Sequence, residues 1–129
     1  MQPATKSAPA GGATSIALKA VSRIMAEWGV STPQAALLCD MSESTWKRAK
    51  KPRFSGELTH DQMLRLSALI GIYKSLKLYF DDPLASKWMT LANTGPLFDG
   101  KRPIDALIEF GLPNFIGVRC YLDALRGGM

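Results

Sequence analysis

LTHDQMLRLSALIGIYKSLKLYF, residues Leu58 to Phe80, is the stretch on which the reading of the chain turns. It opens as a capping box. The Thr59 hydroxyl can accept from the backbone N–H three residues on, and Gln62 can reach back to the N–H of Thr59. Leu58 before the cap and Met63 after it are placed as a hydrophobic staple. Met63, Leu66, Ile70, Tyr73, Leu76 and Phe80 then recur at gaps of three and four, which puts them on one stripe of a helix. Leu64, Leu69, Ile72 and Leu78 widen the stripe beyond the needs of one neighbour. The segment is therefore expected to be a central helix buried from more than one side, joining one half of the chain to another.

The rest of the chain supports an all-α fold built on that helix, of a size for one domain or two very small ones. Its 129 residues are 47% hydrophobic, enough for a packed core. Lys74 and Lys77 interrupt the most apolar run, so no stretch is expected to span a membrane. Residues 1–13, rich in Pro, Ala and Gly, lack the apolar core of a signal peptide and are expected to be a disordered tail. A cytoplasmic location follows as an expectation. Cys39 and Cys120 lie on apolar helical faces, where Cys behaves as a small hydrophobe. With one histidine, His60, they do not make a standard zinc site. No metal or cofactor is expected.

Charge is concentrated. Lys47, Arg48, Lys50, Lys51 and Arg53 place five cations in seven residues, and the other eleven Lys and Arg are balanced by eleven Asp and Glu. Such a patch points to a polyanion. It lies in residues 14–57, where three helices are expected. The first runs from Thr14 or Ser15 to Trp28, with Ile16, Val21, Ile24, Met25 and Trp28 on its apolar face, and Gly29 stops it. Thr32 and Pro33 then read as N-cap and first turn of a short helix to Cys39, with Ala36 and Leu37 facing inwards. Asp40 marks a turn, and Ser42 caps a second short helix to about Lys51. Two short helices joined by a tight turn make a helix-turn-helix. On the second, Ser44, Lys47, Arg48 and Lys51 fall within about a quarter of the circumference, with Trp46 and Ala49 opposite. A donor-rich front on an apolar back suits the major groove of DNA. A solvated basic helix end, complementing the helix dipole, has the same composition.

After Phe80, residues 81–129 read as further short helices. Asp81-Asp82-Pro83 is a cap with Pro at the first helical position, and Leu84, Trp88 and Leu91 follow at helical spacing to about Asn93. Asp99-Gly100 marks a tight turn. Pro103 opens a helix carrying Ile104, Leu107 and Phe110, with Gly111 as its cap. In the last helix Phe115, Val118, Leu122 and Leu125 form the inner stripe, and Arg119, Asp123 and Arg126 lie off it. The ending Arg126-Gly127-Gly128 reads either as a solvated terminus or as a slender tail able to enter a pocket.

Catalytic machinery is not expected. His60 falls in the first turn of a helix, neither cysteine has a histidine near it in sequence, and there is no phosphate-binding glycine loop.

Two resemblances sharpen this picture. Gln34 to Leu38, Asp40-Met41-Ser42 and Ser44-Thr45-Trp46-Lys47-Arg48 are similar to the helix-turn-helix of Xre/Cro-type regulators. Asp40 stands where that group commonly has Gly, and Trp46 where a small β-branched residue is usual. Trp88-Met89, Leu97, Asp99-Gly100, Pro103, Ala106-Leu107 and Leu122 to Gly128 resemble the C-terminal module of the MbcA/ParS/Xre antitoxins. Together they cover roughly residues 15–128. The resemblance implies an Xre-like helix-turn-helix bundle joined by the central helix to a small helical toxin-binding module. It implies an antitoxin that binds a RES-domain toxin, obstructs its NAD pocket and represses its own operon. Ser44, Thr45, Lys47, Arg48 and Lys51 would meet operator DNA, and Arg119, Tyr121, Asp123, Arg126, Gly127 and Gly128 the toxin. Reading two DNA half-sites would require a homodimer, expected through apolar surface left over on the central helix. The contrasting possibility is a stand-alone Xre-like regulator whose C-terminal half only dimerises.

Overall fold

The computed structural model describes residues 7–51 and 54–126. Among the described residues seven α-helices follow one another: α1 (Ser7–Trp28), α2 (Thr32–Leu38), α3 (Glu43–Ala49), α4 (His60–Tyr79), α5 (Leu84–Lys87), α6 (Pro103–Phe110) and α7 (Leu112–Arg126). A 3₁₀ turn, Trp88–Thr90, continues α5, and there is no strand among the described residues.

α4 is the axis. Its capping box is closed: Thr59 Oγ1 accepts from the Gln62 N–H at 3.0 Å, and Gln62 Oε1 accepts from the Thr59 N–H at 2.9 Å. Leu66, Ala68, Leu69, Ile72, Ser75 and Leu76 are buried, whereas Met63, Ile70, Tyr73 and Phe80 of the expected stripe are half-buried and Leu64 and Leu78 are exposed, so the buried arc is turned from the expected one. α1 packs along one flank of α4 and α7 along the other. Leu18, Val21, Ile24, Met25 and Trp28 of α1, and Phe115, Val118 and Leu122 of α7, close the core over it.

The N-terminal expectation needs correction. α1 starts at Ser7, not at Thr14 or Ser15, so residues 7–13, expected to be disordered, are helical. Ala8, Ala10 and Ala13 are the strongest helix formers, and Pro9 falls in the first turn, where its missing N–H removes no helical bond. Residues 1–6 lie outside the described residues. α1 ends as read: Gly29 takes φ 70°, and the N–H groups of Gly29 and Val30 bond the carbonyls of Ala26 and Met25. That is a Schellman stop. The same pattern ends α2 at Asp40, with φ 57°, and the N–H groups of Asp40 and Met41 on Leu37 and Ala36. Ser31, one residue before the expected Thr32, caps α2 by accepting from the Gln34 N–H.

Several apolar positions face differently from their reading. Ile16 is 73% exposed and Leu37 56%, while Ala35, Ala36 and Leu38 are buried. The helix expected to run to Asn93 is a single turn, α5, then the 3₁₀ turn, and the chain is extended at Leu91. Pro83 stands at the N-cap of α5, one position before that expected. Leu84, Leu91 and Phe110, which follow at helical spacing, are exposed, and so is Cys120, whereas Cys39 is buried. Phe98, in the loop before α6, takes the inward place. It is fully buried, edge-on to Trp88 and Tyr121.

Polar bonds tie α1, α4 and α5 together. Tyr73 Oη donates to Glu27 Oε1 at 2.9 Å, Lys77 Nζ lies 2.7 Å from Glu27 Oε2, and Ser86 Oγ donates to Glu27 at 3.0 Å. Lys77 also meets Asp82 at 3.3 Å. The Lys77 ammonium, helped by the two hydroxyls, holds the Glu27 carboxyl below its ordinary 4.5. A carboxyl depressed by folding contributes stability above its unfolded value and loses it as pH falls through the folded value. The stability advantage of the natural chain over Glu27→Gln should therefore be complete at neutral pH and shrink below 4.5. Urea midpoints of both proteins on the two sides of that value check this; a constant difference would contradict it.

Candidate functional site

The basic face of α3 is built from its cap upward. Ser42 accepts from the Thr45 N–H at 3.1 Å, so the helix starts where a serine can close its first turn. Trp46 and Ala49 are each 2% exposed and pin α3 to the core. On the other side Ser44, Lys47 and Arg48 are exposed, with Lys51 just past the C-cap Lys50. A chain of hydroxyls orders the N-terminal end: Ser42 Oγ donates to Thr45 Oγ1 at 2.8 Å, and Arg48 Nη2 donates to the same oxygen at 3.3 Å. Thr45 is half-buried and positions Arg48 more than it faces solvent. Lys50 folds back, its ammonium 5.8 Å from the Trp46 ring centroid. Lys47, Arg48 and Lys51 meet no carboxylate among the described residues. Arg53 lies outside the described residues.

The turn before α3 is held from α4. Gln62, besides its capping role, donates through Nε2 to the Asp40 carbonyl at 2.8 Å. Arg65 donates to the Leu38 carbonyl at 3.3 Å, is paired with Asp61 at 2.9 Å, and lies over the Phe115 ring of α7. Neither tie was evident in the sequence, because each partner is remote along the chain. Asp40 itself is strained at φ 57°. Asp40→Gly should stabilise the protein by about 0.5–1 kcal/mol, the left-handed penalty less the chain entropy of glycine. The Gln62 bond is to backbone and survives. A lowered denaturation midpoint would show that the Asp40 side chain contributes more than the strain costs.

In the C-terminal half the residues named from the sequence divide between two sides of α7. Arg119 lies against α4, where Nη1 donates to the Ser67 carbonyl at 3.4 Å and the guanidinium crosses Gly71. Asp123, one turn on, accepts from Ser75 Oγ at 2.9 Å. Tyr121 is half-buried on another side, against Phe98. So α4 gathers Arg119 and Asp123, and Tyr121 is separate from them. The side chain of Arg126, and Gly127 and Gly128, lie outside the described residues. Burial drives the Cys39 thiol up to about 12, so it stays protonated at neutral pH.

Comparison with known proteins assigns both halves. Residues 13–71 match the antitoxin Xre-like helix-turn-helix domain, and residues 75–128 match the antitoxin Xre/MbcA/ParS C-terminal toxin-binding domain. The chain belongs to the Xre/MbcA/ParS antitoxin family. It is also 34% identical over 113 residues to the uncharacterized protein y4oB of Sinorhizobium fredii, an alignment that covers 86% of this chain and 84% of that one. No solved structure matches.

As a member of this antitoxin family the chain has a toxin for a partner, and the toxin-binding segment shows a feature that spacing alone concealed. Of the nine exposed large apolar side chains among the described residues, six fall within residues 75–128: Leu78, Tyr79, Leu84, Leu91, Phe110 and Ile116. Exposed apolar side chains mark a binding surface where they lie together, and are ordinary where they are scattered singly. In sequence Leu78, Leu84, Leu91 and Phe110 could not be told from core positions, because they occupy helical spacings too.

Proposed function

We propose that this chain neutralises a RES-domain toxin by covering its NAD pocket, and represses its own operon through the exposed face of α3. The order of the two matched modules carries this reading, a helix-turn-helix domain followed by a toxin-binding domain. The protein acts by occupation and performs no chemistry of its own, in the cytoplasm. The apolar side chains of residues 75–128 supply contact area, and the Arg126-Gly127-Gly128 tail enters the pocket, where Arg suits carboxylates and Gly permits close backbone approach. Ser44, Lys47, Arg48 and Lys51 meet operator DNA, with Thr45 holding Arg48. A homodimer sets two copies of α3 on successive half-sites.

Co-expression with the product of the neighbouring open reading frame tests the reading. A RES-domain neighbour should arrest growth alone, be harmless with this chain, and co-purify with it. Removing Arg126–Met129 should weaken rescue without lowering the denaturation midpoint. A neighbour that is neither toxic nor bound would leave only the regulator. Full rescue by the shortened chain would remove the tail from the mechanism.

A further inference from the structure

Between α1 and α7 a strip of α4 is left uncovered. Leu64, Ser67, Gly71, Lys74 and Leu78 succeed one another at gaps of three and four and so share a face. Leu64 is 38% exposed and Leu78 68%. Along the strip runs a groove of about 320 Å³, lined by Ala17 of α1, by Met63, Ser67, Ile70, Gly71 and Lys74 of α4, and by Arg119 of α7. Met63 and Ile70 make its apolar floor and are half-buried. Both charged groups of the lining, Lys74 and Arg119, are cations, and neither meets a carboxylate among the described residues.

Gly71 decides where Arg119 lies. A methyl group at residue 71 would stand 2.5 Å from Arg119 Nε and 2.6 Å from Cζ. With no side chain there, the guanidinium rests along α4 at the lip of the groove. It keeps one long bond, to the Ser67 carbonyl at 3.4 Å, and most of its donors are unspent.

A second copy of this chain fits the groove poorly. A two-fold axis through the strip would set Gly71 on Gly71 and Leu64 against Leu78 of the copy. It would also bring together two Arg119 and two Lys74 with no carboxylate in the groove lining, and like charges facing each other oppose association. The charge requires an occupant of the opposite sign, and the floor requires an apolar one. We propose that this groove docks an acidic amphipathic helix of another polypeptide. Its apolar side lies on Met63, Ile70, Leu64 and Leu78, and its carboxylates pair with Lys74 and Arg119. This contact goes beyond the tail-in-pocket reading and stands whichever protein supplies the helix.

The test uses the full chain and a labelled synthetic helix with Leu on one side and Glu along both edges, followed by fluorescence anisotropy. Matched peptides carry Gln or Lys in place of Glu. The Glu peptide should bind saturably and the Lys peptide should not. Lys74→Glu combined with Arg119→Glu should weaken the Glu peptide by about tenfold or more and create affinity for the Lys peptide. That swap of preference cannot arise from a merely structural defect, and circular dichroism checks that the variant is folded. Equal binding of the Glu and Gln peptides, or undiminished binding to the reversed variant, would overturn the proposal. So would a dimer of the unsubstituted chain that the peptide splits, since the groove would then belong to a second copy. A single-stranded oligonucleotide that competes as well as the Glu peptide would assign the cations to nucleic acid and overturn it too.

Discussion

Phe98→Ala should destabilise the protein by about 3–5 kcal/mol, the usual cost of removing a fully enclosed phenyl ring. Phe98 is 0% exposed and meets Trp88 edge-on at 5.5 Å and Tyr121 at 6.0 Å. Around it the chain is held by its own turn bonds: Phe98 N–H to the Gly95 carbonyl at 3.1 Å, Lys101 N–H to the Phe98 carbonyl at 2.9 Å, Asn93 N–H to the Lys101 carbonyl at 3.0 Å, and Gly100 N–H to the Asn93 carbonyl at 3.0 Å. The ring therefore joins the loop to α7 and to the 3₁₀ turn at once. Its loss leaves a void that helices on either side cannot close by small shifts. A urea titration followed by tryptophan fluorescence reads the effect, because Trp88 lies against the void. A loss below about 1 kcal/mol would mean that the loop collapses to refill the space.

The second large effect is on DNA. Replacing Lys47 and Arg48 together by alanine should weaken operator binding by about 2–4 kcal/mol, roughly thirtyfold to a thousandfold. If Lys47, Arg48 and Lys51 each neutralise a phosphate, the log–log salt slope lies near about −2.7 per chain, and losing two charges makes it shallower by about 1.8. Neither side chain contributes to the core, since Trp46 and Ala49 anchor α3 from the other side. Helical content should be unchanged. Lys50→Ala is the control: its ammonium lies over the Trp46 ring, so operator binding should change much less. Affinity that is flat in salt and indifferent to the double replacement would remove α3 from DNA recognition.

What could be read from the sequence follows from how local its cause is. The capping box at Thr59 and Gln62, the cap at Ser42, the stop at Gly29 and the left-handed turn at Asp40 are decided within a few residues. Each stands where the sequence put it. The direction a side chain faces is decided by neighbours from elsewhere. Ile16, Leu37, Leu84 and Phe110 have the spacing of core residues but no element covers them. Phe98 had no periodic partners and is central to the C-terminal half. The same distinction holds at the sites. The polar front and apolar back of α3 are a property of one short helix and were readable. Arg65 reaching the end of α2, and Arg119 resting on Gly71, depend on where α4 places other helices.

The two family segments meet between residues 71 and 75, inside α4, and the helix runs through without a break. A loop at that junction would let each half tumble on its own. A continuous helix of 20 residues, about 30 Å long, instead fixes both the distance and the rotational phase between them. One residue inserted after Gly71 would turn everything beyond it by about 100° and advance it by about 1.5 Å. The side chains of α4 that face α1 and α7 would no longer meet them. Whatever grips the C-terminal half is thereby aimed, like a hand on the far end of a spindle, at a set angle to whatever α3 touches.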